Sequence, residues 1–290
     1  MTSRIAHIRL SGAVALAAAA TVALTACSDS TSGSGTVAAA SSAASGSSSS
    51  SSSGSGGGAV TPAGDITALA KQLATATSKA TSLHLVLSTE GEGAAASAAA
   101  EAGAGEGDVR TKDGGATEAF SFQFGTGANA FSLIYVDGTG YVKLPAAQQT
   151  DAAKPWAQVS ASSANPAVAA IASAFDQVDK QTSLTQYATL VEGATNFQAT
   201  GETEVGGEQA QGYAFDIDPA KLPNAAQFGD AVSQLGPIPA TMALDEQGRP
   251  LQVVQKISVA GSTITTTITF SDYDKQVDIA APPADQTSTG

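Results

Sequence analysis

From residue 65 onward the apolar positions recur first at helical and then at strand spacing. Ile66, Leu69, Leu73, Ala76 and Ala80 lie three and four residues apart behind Asp65, whose carboxylate suits an N-cap, and they predict a helix. Leu83, Leu85 and Leu87 then alternate with His84, Val86 and Ser88, the period of two of a half-buried strand. Phe120, Phe122 and Phe124 repeat that pattern. A strand over 131–136 follows, then Asp137-Gly138 as a hairpin turn and a returning strand over 141–144. Further strands are predicted near 196–205, 209–217, 239–244, 251–259 and 264–270, the last three separated by turns at Gln247-Gly248 and Gly261-Ser262. In the final strand Ile264, Thr266, Ile268 and Phe270 share one face, with Thr265, Thr267 and Thr269 opposite. Asn165-Pro166 and Asp218-Pro219 each offer a cap followed by proline at the first helical position. Val168, Ile171, Phe175 and Val178 follow the first; Leu222, Phe228, Val232 and Leu235 follow the second as a looser stripe. Long antiparallel strands with three helices between them read as α+β, the helices gathered on one side of the sheet.

The pattern ahead of residue 65 is different in kind. Arg4 and Arg9 precede an apolar run over 12–24, about a dozen residues, where a bilayer span needs roughly 20. A basic head, a short apolar stretch and small residues at its end describe a secretory leader. The end reads Leu24-Thr25-Ala26-Cys27, which resembles the lipobox of bacterial lipoproteins; that resemblance makes Cys27 the diacylglycerol-bearing mature N-terminus and 1–26 the leader that is cut away. Residues 28–58 are almost entirely Ser, Gly, Ala and Thr, a composition that cannot bury enough apolar surface to offset its ordering entropy. Taken as a flexible coil from Cys27 to residue 64, such a linker has an end-to-end distance of roughly 33 Å. A second Gly/Ala/Glu stretch over 91–107 reads as an inserted mobile acidic loop, without the G-x-G-x-x-G spacing or the Lys-Ser/Thr of a phosphate cradle. The expected organisation is therefore leader 1–26, lipidated Cys27 with linker to 64, one domain over 65–285, and a disordered tail over 286–290.

Charge and residue counts narrow the chemistry. The net charge is −13, and loss of Arg4 and Arg9 with the leader takes it to −15, so a basic nucleic-acid footprint is absent. Membrane attachment must then come from covalent lipid, which holds stably when two or more acyl chains are present. Cys27 is the only cysteine, so no internal disulfide and no Cys/His metal site is expected, and no cofactor is implied. His84 is the only histidine after the leader, and no G-x-S-x-G elbow accompanies it, so it is read as a structural or surface strand residue and the chain as no enzyme. The nearest carboxylate pairs have plainer roles: Asp218 as a helix cap, Asp245-Glu246 as turn residues, with Asp216 beside the former. Trp156, the only tryptophan, is placed at a strand start, where it packs.

A succession of short segments resembles the actinobacterial LppX/LprG-type lipoproteins, whose fold is related to the LolA-like carriers. The matching pieces are Val136-Asp137-Gly138 with Tyr141-Val142-Lys143-Leu144, Lys154-Pro155-Trp156, Gly201-Glu202-Thr203-Glu204-Val205-Gly206-Gly207, Leu244-Asp245-Glu246-Gln247-Gly248-Arg249-Pro250-Leu251, Phe270-Ser271-Asp272-Tyr273 and Ala281-Pro282-Pro283-Ala284. They occur in order across most of 65–285. Two departures stand out: the long 91–107 insertion, and Asp274 where Gly is expected. The resemblance implies a strongly curved antiparallel half-barrel with helices packed on its concave face, a hydrophobic cavity between the layers, and acyl chains of a lipid or glycolipid as ligand. It also implies a lipid-anchored protein on the extracytoplasmic face of the cell membrane, with an envelope transporter or assembly protein as possible partner. The other reading of the same fold is a non-transporting envelope sensor or protein-binding module.

The strand residues expected to face such a cavity are Leu85, Leu87, Phe120, Phe122, Phe124, Phe215, Met242, Val253, Ile257, Ile264, Ile268 and Phe270. Opposite them stand Ala76 and Ala80 on the first helix and Ala167, Ala169, Ala170, Ala172 and Ala174 on the second, small side chains that leave room where Leu or Phe would fill it. Each methylene buried there contributes about 0.8 kcal/mol.

Overall fold

The structure, a computed structural model, describes residues 62–93, 104–112, 114–160, 183–221, 236–259 and 261–289, together with Val168, Ile171 and Phe175. Helix α1 (Ile66–Thr77) opens it. The Asp65 carboxylate accepts the Ala68 N–H at 2.8 Å and so satisfies one of the donors that a helix start leaves free. Leu69 and Leu73 are fully buried on one face of α1, each such burial contributing about 1.5–3 kcal/mol. The strands are β1 (Ser82–Glu92), β2 (Gly105–Lys112), β3 (Ala116–Phe124), β4 (Phe131–Val136), β5 (Thr139–Lys143) and β6 (Trp156–Gln158). Helix α2 (Thr185–Glu192) comes next, followed by β7 (Thr195–Val205), β8 (Glu208–Ile217), β9 (Ile238–Leu244), β10 (Pro250–Val259), β11 (Ser262–Ser271) and β12 (Thr287–Ser288).

All twelve strands form one open, curved sheet in the order β12-β6-β5-β4-β3-β2-β1-β11-β10-β9-β8-β7. Every pairing is antiparallel except that of β12 with β6. Two meanders, β1 to β6 and β7 to β11, are thus fused where β1 pairs with β11. Helices α1 and α2 pack on each other and contribute Leu69, Leu73, Leu190 and Val191 to the same apolar cluster as the sheet residues. Tyr187 of α2 meets Phe270 of β11 edge-on at 5.3 Å between centroids. Val168, Ile171 and Phe175 are helical and buried in that cluster, as their spacing predicts. Pro219–Lys221 forms a short 3-10 turn behind Asp218, whose carboxylate accepts the Ala220 N–H. Val178, Leu222, Phe228, Val232, Leu235 and the five alanines over 167–174 lie outside the described residues.

Several expectations change. The 91–107 stretch is not loop throughout: β1 continues through Glu92 and β2 begins at Gly105. Gly105 and Gly107 are strand positions beneath aromatic rings. A Cβ on Gly105 would lie 2.7 Å from Phe124 Cε1, and one on Gly107 would collide with the Phe122 ring and the Ser121 carbonyl. The glycines are the space that lets the rings lie flat on the sheet. The expected tail also takes part: Thr287 and Ser288 pair with Trp156 and Ala157. To reach that edge the chain after β11 crosses the sheet's other face, where Ile279 and Val277 pack on Ala119, Val136, Ile134 and Tyr141. The Asp137-Gly138 turn has φ of 52° and 75°, the two positive values a type I′ hairpin needs.

Asp274 adopts φ of 60°, the left-handed region where glycine is expected. Its carboxylate offsets the strain by accepting the Thr81 N–H at 2.9 Å, the Thr81 hydroxyl at 3.1 Å and an Arg249 N–H at 3.1 Å.

Gly107→Val is expected to cost about 2 kcal/mol through overpacking, lowering Tm by roughly 4–8 °C in a scanning-calorimetry trace. Burial pushes the Tyr187 phenol far above its ordinary value. The unfolded chain ionises that phenol near pH 10, so its contribution is complete below about pH 10 and lost as pH rises beyond. The urea midpoint should therefore fall between about pH 9 and pH 11, and fall less in Tyr187→Phe. Equal falls in both proteins would discount Tyr187 as the cause.

Candidate functional site

The strand register lines up apolar side chains in rows that run across the sheet. One row passes through Ala199, Tyr213, Met242, Val253, Ile268, Leu87, Gly105, Phe124 and Phe131, one residue from each of nine neighbouring strands. A second passes through Phe270, Leu85, Gly107, Phe122, Leu133, Val142 and Ala157. Because side chains alternate along a strand, these rows and the residues two positions away share one face. All twelve residues expected from the sequence stand on it. Leu85, Leu87, Phe120, Phe122, Phe124, Phe215, Met242, Val253 and Phe270 are buried in one continuous cluster, with Ile257 and Ile268 half-buried against it. Ile264 is buried as well, though it is not a member of that cluster.

The aromatic residues on this face touch in sequence. Phe120 and Phe122 are 5.4 Å apart, Phe122 and Phe124 6.0 Å, and Phe124 stacks on Phe131 at 4.9 Å. Phe120 also stacks on Tyr135 at 5.6 Å and on the helical Phe175 at 5.9 Å. Offset and tilted pairs at these distances add about 0.5–1.5 kcal/mol each beyond burial. Leu133, Phe131, Tyr135, Val142 and Tyr213 belong to the face but not to the expected set. Their signal was present: Phe131, Leu133 and Tyr135 alternate, and Tyr213 stands two residues before Phe215. Leu184, Tyr187, Leu190 and Val191 around α2 recur at helical spacing, over a helix only eight residues long. Ala76 and Ala80 are both buried.

The polar candidates lie elsewhere and hold structure. His84 Nδ1 sits 2.8 Å from an Asp108 carboxylate oxygen, between neighbouring strands β1 and β2. Asp216 accepts the Asn196 side-chain amide at 2.7 Å. Asp245 is almost fully buried and accepts the Gln247 and Arg249 backbone N–H groups, each at 2.8 Å, and Arg249 Nε at 2.6 Å, which ties the β9–β10 turn together. Glu246 in that turn is exposed. Trp156 begins β6, half-buried. Among the described residues, no group of three His, Cys, Asp or Glu side chains is placed to hold a metal ion, and no helix is long and apolar enough to cross a membrane. Cys27 lies outside the described residues.

A cleft of about 670 Å³ runs along the flank of α1 and the turn that follows it. Ala68, Lys71, Gln72, Thr75, Ala76, Lys79 and Ala80 form one wall, and Gln247, Arg249 and Asp274 the other.

The crystal structure of lipoprotein LppX from Mycobacterium tuberculosis is 17% identical, with a TM-score of 0.46 over 74% of this chain and 98% of that one. LprF from Mycobacterium bovis is 16% identical, with a TM-score of 0.46 over 75% and 96%. The MucA/MucB complex of Pseudomonas aeruginosa includes a chain 16% identical, with a TM-score of 0.34 over 76% and 59%. No curated protein matches the sequence. The sequence model of the LppX_LprAFG lipoprotein family matches residues 65–279, from the cap of α1 to the Ile279 contact behind the sheet, and the chain belongs to that family.

Proposed function

We propose that this lipoprotein binds the acyl chains of an envelope lipid or glycolipid against the apolar face of its sheet, for transport or assembly of envelope lipids. In this reading Cys27 carries the anchor, the domain stands on the extracytoplasmic face of the cell membrane, and the helices occupy the sheet's concave side. The observation that carries the proposal is the face itself, an uninterrupted apolar row across nine strands. A surface of Phe, Leu, Ile, Val and Met supplies dispersion and burial without directional demands, which suits a ligand made of methylenes. Its chemistry also argues against catalysis on that face, since the titratable side chains in the rows or against their rings are the tyrosines Tyr135, Tyr187 and Tyr213.

A second reading has its own observation. Ten of the twelve candidate residues are buried, and the rings from Phe120 to Phe175 already satisfy one another. A face filled in this way supports a non-transporting sensor or protein-binding module of the same fold.

The two readings separate on the chain from residue 28 onward, which keeps every described residue. Organic extracts of that protein, purified from its native envelope and read by mass spectrometry, are expected to contain stoichiometric lipid, and Val253→Phe is expected to lower the occupancy several-fold by filling the middle of the row. Extracts that are consistently empty, with no uptake of fluorescent fatty-acyl probes, would reject the carrier reading in favour of the module. In the full chain, Cys27→Ser should move the protein from the membrane pellet to the soluble fraction. The N-terminal peptide of the parent should carry the mass of a diacylglycerol; a parent peptide without it rejects the anchor.

A further inference from the structure

Helix α1 presents two distinct surfaces. At about 100° per residue, Leu69, Ala70, Leu73, Ala76 and Thr77 form the buried stripe, while Ala68, Lys71, Gln72 and Thr75 are centred roughly 150° away, along the cleft, which Lys79 in the turn after the helix extends. The opposite wall is rigid. Arg249 is held by Asp245 at 2.6 Å, by Asp274 at 3.1 Å and by the Gln247 side-chain oxygen at 3.2 Å, and its guanidinium lies 4.5 Å from the centre of the Tyr273 ring. The Tyr273 hydroxyl donates to the Pro250 carbonyl at 2.6 Å, fixing the ring beneath it. Gly248, at φ of 81°, brings the turn so near that an added Cβ would lie 2.8 Å from Gln72.

The charge in this cleft runs against the charge of the molecule. The chain has 13 Lys and Arg against 26 Asp and Glu, yet three cations line this one recess. The carboxylate among the described lining residues, Asp274, is already engaged by Thr81 and Arg249. Lys71 and Lys79 have no ion-pair partner among the described residues, and three of the five Arg249 N–H groups are accounted for, which leaves two. Lys71 on α1 and Lys79 in the turn just after it line the same cleft, so both ammonium groups can reach one ligand between them. Two ammonium groups facing a fixed guanidinium form a receptor for a phosphate, which the guanidinium engages through paired N–H groups.

The position of the cleft indicates the source of that phosphate. The segment from Cys27 enters the domain at Asp65 and α1, the helix that carries Lys71, so a lipid at Cys27 tethers the cleft within the reach of the linker, roughly 33 Å, from the bilayer. We infer that the α1 cleft docks the phosphate of an anionic lipid headgroup at the membrane surface through Lys71, Lys79 and Arg249, seating the tethered domain on the membrane. The inference rests on the anchor at Cys27 but not on acyl cargo, and it assigns the cleft a role separate from the apolar face.

The test uses the chain from residue 28 onward, so that no covalent lipid contributes, with vesicles of phosphatidylcholine alone or mixed equally with phosphatidylglycerol. Co-sedimentation at low salt is expected with the mixed vesicles and not with phosphatidylcholine alone, and it should weaken as salt rises. Lys71→Glu with Lys79→Glu should lower the affinity at least about tenfold. Lys143→Glu with Lys256→Glu makes the same change in net charge at exposed positions on β5 and β10 and should change it less than about twofold. Circular dichroism of both pairs checks that the fold is kept. Equal losses in the two pairs, no binding of the parent to the mixed vesicles, or binding of inorganic phosphate without vesicle binding each overturns the inference. Lipid extraction on the same samples reads the cargo separately, so lost docking with retained cargo refutes this inference alone.

Discussion

The pairing of β1 with β11 holds the architecture together. It brings Leu85 opposite Phe270 and Leu87 opposite Ile268 across roughly 180 residues of chain, and it converts two meanders into one sheet. Without it neither apolar row crosses the middle, and the cluster that buries α1 and α2 is divided. A contact of such sequence separation carries a large loop-closure entropy, which the nine registered pairs of that ladder must outweigh. Asp274 and Ser82 reinforce the join at one end. Asp274 accepts from Thr81, and the Ser82 hydroxyl donates to the Lys275 carbonyl, so the chain leaving β11 is held to the start of β1.

Flat aromatic packing on this sheet depends on residues with no side chain. Gly105 and Gly107 of β2 lie between Leu87 and Leu85 on one side and Phe124 and Phe122 on the other. The rings fill the space above them, so the row stays continuous in height as well as in sequence of strands. This exchange of a Cβ for a neighbouring ring explains how a Gly-rich segment, poor in strand propensity, forms a central strand: β1 and β3 pair with it on both sides.

Membership of a lipoprotein family and the geometry of α1 bear on each other. The helix that follows the Ser/Gly-rich segment is the one with an apolar stripe toward the sheet and a cationic flank toward the cleft. A single helix can serve both surfaces because a period of 3.6 separates positions 69 and 73 from positions 68, 71 and 75. The proposed acyl-binding face and the proposed headgroup cleft thus meet along α1 and the turn after it, sharing only the small side chains of Ala76 and Ala80.

Local chemistry made much of the fold readable in advance. The Asp65 cap, the alternating Leu of β1, the Phe of β3, the Asp137-Gly138 turn and the strands from β7 to β11 all depend on residues within a few positions of one another. The twelve candidate residues of the apolar face were legible for the same reason, because a period of two assigns a face whichever strand lies alongside. The tertiary structure alone decided the rest. Strand β2 has only Val109 and Thr111 as strong strand formers, and it exists through its two neighbours. Helix α2 is eight residues long and is held by packing on α1 and Phe270. Strand β12 needs Trp156 at the far edge, and the α1 cleft needs Arg249 and Asp274 brought across from turns roughly 170 to 200 residues away. Periodicity reports which side of an element avoids water, but it carries no information about which distant element covers that side, since the free energy of that choice lies in contacts between segments.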